Sequence, residues 1–102
     1  MNIFYDNKIK KKLSDNSSIK KYYGRLADKI IIRISLLMVA NNLGDIPNLP
    51  PTRRHKLVGN YANCWSIEIE KNWRIVIKPT LGDINNPEDI KEITIIDIVD
   101  YH

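Results

Sequence analysis

Apolar residues along this chain recur with two different periods. Between residues 17 and 42, Ile19, Tyr23, Leu26, Ile30, Ile34 and Leu37 fall three or four positions apart. That spacing lines side chains along one stripe of an α-helix. Ser17 or Ser18 is placed to cap this helix, and Gly44, just past Asn42, marks its stop. Ile31, Ile32, Leu36, Met38 and Val39 lie off the stripe, so the second half is apolar nearly all round. In so small a chain such a helix has a second face to bury, against a preceding helix or against a partner. The preceding helix is predicted from a cap at Asp6 or Asn7 to about Leu13, where Ser14-Asp15-Asn16-Ser17 breaks it.

The other period is two. Trp65, Ile67 and Ile69 alternate with Ser66, Glu68 and Glu70, which predicts a strand with the first set facing the core. Lys71-Asn72 suits a tight turn. A second strand then places Trp73, Ile75 and Ile77 on one face and Arg74, Val76 and Lys78 on the other. Asn2-Ile3-Phe4-Tyr5 reads as a short strand, and a last strand runs from about Glu92 to Asp100. Residues 43–52 carry Pro47, Pro50 and Pro51 and form a rigid connector. Residues 80–91, with Gly82, Asn85-Asn86 and Pro87, read as a loop. A strand, two helices and a meander of strands predict an α+β fold, with the N-terminal helices packed on one side of a small antiparallel β-sheet. The 102 residues fit a single domain, 1–102, with one modest core.

Composition narrows the class. The lone Cys64 excludes an internal disulfide and a cysteine-rich zinc site, which fits a reducing cytoplasm. Met1 to Asp6 lacks a basic region followed by an apolar run, so no secretory signal is expected. The apolar stretches Ile30–Ile32 and Leu36–Ala40, broken by Arg33 and Ser35, are too short to span a bilayer, and no membrane partner is expected. The net charge of +4 hides an asymmetry: residues 1–60 hold 12 Lys/Arg and 4 Asp/Glu, residues 61–102 hold 4 and 8. A basic half points to a polyanion partner, or to an ordinary lysine-rich solvated helix face.

The candidate chemistry gathers around the two histidines. His55 lies between Arg54 and Lys56; His102 follows Tyr101 at the last position. RNA can be cleaved without a metal by a base that takes the ribose 2′-hydroxyl proton, an acid that protonates the leaving oxygen, and cations that stabilise the phosphorane. An unperturbed imidazole titrates at about 6.5 and suits either proton role. The Tyr101 hydroxyl is a poor base at neutral pH; the side chain can donate a hydrogen bond or stack on a base. Arg74 offers a planar fork for a phosphate if its face lines a cleft, and a weak surface ion pair with Glu68 or Glu70 if it does not. Arg53, Arg54, Lys56 and Lys78 are the remaining candidate phosphate contacts. Histidines 47 positions apart, without a nearby carboxylate motif, make a weak zinc site, and neither metal nor cofactor is expected.

These segments resemble a known family. His55-Lys56-Leu57-Val58-Gly59, Trp65-Ser66-Ile67, Asn72-Trp73-Arg74-Ile75 and the terminal Asp100-Tyr101-His102 are similar to the array carried by the HigB branch of the RelE/ParE toxin superfamily. The resemblance is dense over the last half of the chain and looser over the first. It implies the RelE-like microbial RNase fold and a toxin of a type II toxin–antitoxin system. Such a toxin is a metal-independent endoribonuclease (mRNA interferase) that cuts mRNA on the ribosome. The implied partners are a HigA-like helix-turn-helix antitoxin, the ribosome and mRNA, and operator DNA only through the antitoxin; the implied location is the bacterial cytoplasm. His55, Tyr101 and His102 match the family's catalytic positions. Val58 departs, standing where better-known relatives carry lysine. Either the cationic role passes to Lys56, Arg54 or Arg74, or the chemistry is weakened. Two other classes stay open: a ParE-like toxin that binds gyrase and cleaves nothing, and a degenerate copy acting only with its antitoxin.

Overall fold

The computed structural model describes residues 1–100; Tyr101 and His102, two of the candidate catalytic residues, lie outside the described residues. The chain opens with strand β1 (Asn2–Tyr5) and a one-turn helix α1 (Asn7–Lys10), then α2 (Asn16–Tyr23) and α3 (Ala27–Val39). Strand β2 (His55–Lys56) follows the proline-rich connector, and β3 (Trp65–Glu70), β4 (Trp73–Pro79) and β5 (Glu92–Asp100) complete a five-stranded sheet of order β1-β5-β4-β3-β2. Its four later strands are antiparallel to their neighbours, as the hairpin pattern predicts, whereas β1 joins the edge of β5 in parallel.

Capping residues decide where the helices begin. The Asp6 side chain accepts from the Lys8 N–H, as expected, but α1 stops at Lys10. Asp15, rather than Ser17 or Ser18, caps α2, its carboxylate accepting from the Ser18 N–H at 2.7 Å. The long helix expected over residues 17–42 is two helices. Gly24 adopts φ 52°, a left-handed conformation that glycine tolerates and that ends α2. A single 3-10 turn then leads into α3, which stops at Val39.

The predicted stripe is nonetheless what packs. Ile19, Leu26, Ile30, Ile34 and Leu37 are buried against Trp65, Ile67, Ile69, Ile75 and Ile77 of the sheet, with Tyr23 and Trp73 at the margin. Of the off-stripe residues, Ile31 packs against the core's margin, but the rest stay uncovered by α1: Ile32 is 52% and Val39 78% exposed, and Leu36 and Met38 are exposed beside them. On the sheet's other face, Leu57, Cys64 and Val76 form a second, small cluster with Tyr61, Ile96 and Val99. The segment after β2 therefore folds over the face that lacks helices, and burial pushes the Cys64 thiol up.

One irregularity in β3 matters for everything that follows. Glu68 pairs with Arg74 and Glu70 with Trp73, so Ile69 is an extra residue in a β-bulge. The alternation expected for Ser66, Glu68 and Glu70 fails at this point. Glu70 turns to the helix side and pairs with Arg25 and Lys29, while Ile69 stays in the core. Arg33 of α3, only 8% exposed, holds the bulge: its Nε donates to the Glu68 carbonyl at 2.8 Å and its Nη2 to the Ile69 carbonyl at 3.2 Å. A charge-assisted donor of this kind satisfies backbone acceptors that a bulge removes from the ladder. The turn after it fits the chain's chemistry, since Asn72 takes φ 71°, which asparagine accepts more readily than most residues.

Two outcomes follow from this packing. Arg33→Met keeps the aliphatic stem but leaves the two carbonyls without their donor. It should lower the unfolding free energy in urea by about 2 kcal/mol, within the range for an unsatisfied buried acceptor. The second concerns acid. The hydrogen bond from Arg25, then that from Lys29, hold the Glu70 carboxyl below its ordinary range, and the Ser18 backbone N–H does the same for Asp15. A carboxyl depressed in the folded state stabilises the fold above its unfolded pKa, and that contribution is lost as pH falls through the folded value. The melting temperature should therefore drop on acidification, and Glu70→Gln should lower it at neutral pH while flattening its acid dependence.

Candidate functional site

β2 is only two residues long, yet it sets the position of the site. His55 pairs with Ser66 and Lys56 with Trp65. Paired residues on antiparallel strands share a face, so His55, Ser66, Glu68, Arg74 and Val76 lie on the sheet face opposite the helices. The connector brings Arg53 to the same place. Its N–H donates to the Leu49 carbonyl, and its φ of 42° is left-handed, a strained state for a residue with a Cβ. Strain of this kind costs about 1–3 kcal/mol and persists where neighbouring structure enforces it. Here the neighbours are Thr52, which is buried with its hydroxyl donating to the Pro47 carbonyl at 2.8 Å, and the Glu68 N–H, which donates to the Thr52 carbonyl at 2.6 Å.

Arg53, Arg54, His55 and Arg74, together with Asn48, line one open depression of about 230 Å³. Three arginines and an imidazole around one open hollow make an anion site by charge alone. Arg74 is half-buried and held from two sides, its Nη1 donating to the Ser66 hydroxyl at 3.1 Å and to the Arg53 carbonyl at 3.4 Å. Of the two arrangements open for Arg74, its place at the depression is the one found, and its side-chain hydrogen bonds run to Ser66 and Arg53 rather than to Glu68 or Glu70. Glu68 instead reaches Arg53, with Oε2 at 3.3 Å from Nε. His55 is exposed at the rim.

The remaining candidates are placed differently. Arg54 touches the depression, but its Nη1 donates to the carbonyls of Leu43 at 3.2 Å and Ile46 at 3.1 Å, and its guanidinium lies 5.7 Å from the Trp65 ring centre. Those contacts tie the connector to β3, so Arg54 is first a structural cation. Lys56 and Lys78 do not line the hollow; both lie near the Cys64 thiol, where their charges oppose the effect of its burial. Val58 is exposed, at a position with room for a longer side chain. Trp65 belongs to the core and Trp73 packs at its margin, and the Trp65 indole donates to the Ile84 carbonyl at 2.9 Å. The last described pairs of β5 set Val99 beside Arg74 and Asp100 beside Trp73, so the strand ends next to the arginine that backs the hollow. Among the described residues, no three His, Cys, Asp or Glu side chains are grouped to hold a metal ion, and no helix is long and apolar enough to cross a membrane.

Ser66 and Asn48 join the site without having been singled out in the sequence. Ser66 could have been found from its place on the polar side of an alternating strand. Asn48 gives no such signal, because only the connector's course brings it to the rim.

No protein-family model matches the chain, and no curated protein matches it. Solved structures do. The YoeB/ParE toxin from Agrobacterium tumefaciens superposes with a TM-score of 0.59 at 17% identity, over 100% of this chain and 99% of that one. A YafQ mutant from E. coli gives 0.59 at 18% identity, over 95% and 89%. The YoeB-YefM complex from Staphylococcus aureus gives 0.54 at 17% identity, over 100% and 97%. The α+β fold is therefore that of the YoeB and YafQ toxins. At such identities the likeness concerns the fold, and the chemistry rests on this chain's own residues.

The double duty of Arg54 can be measured. Arg54→Ala strands the Leu43 and Ile46 carbonyls and should lower stability by about 1–3 kcal/mol. Arg54→Lys should recover little of it, because one ammonium cannot reproduce a planar guanidinium over an indole. A stability unchanged in urea, with only anion binding reduced, would make Arg54 a phosphate contact alone.

Proposed function

We propose that this chain is the toxin of a type II toxin–antitoxin pair, of the HigB type, and that it cleaves mRNA held on the ribosome. The observation that carries this reading is the convergence of His55, Arg53 and Arg74 on one depression beside the end of β5. The fold shared with YoeB and YafQ toxins supports it.

In this mechanism the ribose 2′-oxygen attacks the adjacent phosphorus as a base takes its proton. The bond from phosphorus to the 5′-oxygen breaks as an acid protonates that oxygen, leaving a 2′,3′-cyclic phosphate and a 5′-hydroxyl. His55 and His102 are the proton carriers. Arg74 and Arg53 stabilise the charge gathering on the phosphorane oxygens, and Tyr101 positions the nucleotide by stacking or hydrogen bonding. Arg74 is suited to its task because the Ser66 hydroxyl and the Arg53 carbonyl hold it before substrate arrives. The residue set is sparse, so the ribosome supplies the alignment that the chain lacks. A HigA-like antitoxin would cover the cleft, the apolar patch of Ile32, Leu36, Met38 and Val39, or both. The YoeB-YefM toxin–antitoxin complex of the Staphylococcus aureus neighbour supports an antitoxin partner. Operator DNA would be reached only through the antitoxin, and the chain would act in the bacterial cytoplasm.

The test is induced expression of the untagged chain in a bacterium, with mapping of RNA 5′ ends across the transcriptome. Growth arrest with cuts inside translated frames is expected. His55→Ala, Arg74→Ala and His102→Ala should each lower cleavage about 10²- to 10⁴-fold, the usual weight of an acid–base or charge-stabilising group. Arrest by wild type and all variants without such cuts would favour a gyrase-binding toxin. No arrest by any of them would favour a degenerate copy.

A further inference from the structure

The depression is cationic, yet one of its arginines is paired with an acidic residue. Glu68 Oε2 lies 3.3 Å from Arg53 Nε, and its side chain is only 19% exposed against 55% for that of Arg53. Glu68 is also the cross-strand partner of Arg74. The carboxylate is thus paired with one of the two arginines best placed to receive a phosphate, and its residue lies across the ladder from the other. We propose that Glu68 is a specificity-determining residue that competes with RNA phosphate for Arg53, so that unaligned RNA is held weakly. This inference rests on the reading of the depression as an RNA site.

The neighbouring bonds favour competition over support. The Arg53 backbone does not depend on Glu68: its N–H donates to the Leu49 carbonyl and its carbonyl accepts from Arg74. Glu68 in turn is placed through its backbone, by the Thr52 carbonyl on its N–H and by Arg33 on its own carbonyl. The Glu68 carboxylate is therefore free of any role in the sheet, and it pairs by charge with the Arg53 guanidinium. A planar guanidinium binds a phosphate best with two parallel N–H groups. With the Glu68 carboxylate 3.3 Å from Nε, a phosphate that approaches the edge including Nε meets it. An incoming phosphate has to displace the carboxylate and also meets its negative charge. A phosphate fixed in position by the ribosome can do this; a freely moving strand gains less from the exchange.

The experiment measures binding of a 2′-O-methyl single-stranded RNA, which lacks the attacking hydroxyl, by fluorescence anisotropy across a potassium chloride series. The proteins are wild type, Glu68→Gln, Arg53→Gln and the double variant, each checked by thermal unfolding. Glu68→Gln should bind about three- to tenfold tighter at low salt, with a salt slope steeper by about 0.7, one more phosphate contact on a single strand. In the double-mutant cycle, losing Arg53 should cost more affinity in the Glu68→Gln background than in wild type. Equal affinity and slope in wild type and Glu68→Gln would overturn the competition while leaving the RNA site standing. Weaker binding by Glu68→Gln would overturn it in favour of a carboxylate that holds Arg53 ready. If neither protein binds RNA, the competition falls together with the RNA reading of the depression.

Discussion

The site depends on a buried arginine that is not part of it. Arg33 reaches from α3 to the carbonyls of Glu68 and Ile69, and so fixes the bulge in β3. Without the extra residue, strict alternation would send Glu70 to the same face as Ser66 and Glu68. With it, Glu70 turns toward Arg25 and Lys29, and Glu68 is left opposite Arg74 and beside Arg53. Burying a guanidinium is costly unless its donors are used. Here the compensation is the bulge itself, whose carbonyls have left the ladder and need donors. Each irregularity satisfies the other.

A second constraint comes from the connector. Residues 43–52 have little regular structure, but they are pinned at several points. The Thr52 hydroxyl bonds the Pro47 carbonyl, Arg54 bonds the carbonyls of Leu43 and Ile46, and the Glu68 N–H bonds the Thr52 carbonyl. This pinning enforces the left-handed backbone at Arg53 and delivers its side chain to the sheet face that carries Arg74. The helix-free face can therefore present polar groups in a shallow hollow, while the helix face holds the main core. Fold and chemistry occupy opposite sides of one thin sheet.

Most of the architecture was legible in the chain because it follows from local periodicity. The stripe from Ile19 to Leu37 packs as its spacing predicts, and Trp65, Ile67, Ile75 and Ile77 face inward. The α+β layout and the antiparallel meander follow from the order of these segments. The departures have local causes that pattern alone does not carry. Gly24 divides the long helix through its backbone freedom, and Asp15 takes the cap because its carboxylate reaches the Ser18 N–H. The parallel pairing of β1 with β5 joins the two ends of the described chain, which no short-range signal could announce.

What the sequence determined by itself was the inventory: His55 among cations, Arg74 on the polar side of a strand, and an apolar helix with more hydrophobic surface than one small core can cover. Residue types and their spacing suffice for that, because side-chain direction in helices and strands is periodic. The tertiary structure decided which members of the inventory act together. It brought Arg53, His55 and Arg74 to one hollow, turned the Arg54 guanidinium inward to two carbonyls and the face of Trp65, and set Lys56 and Lys78 apart. Such choices depend on bonds between residues far apart in the chain, such as Arg33 with Glu68, and on a bulge that reverses the expected face of Glu70. A period of two or 3.6 carries no information about either.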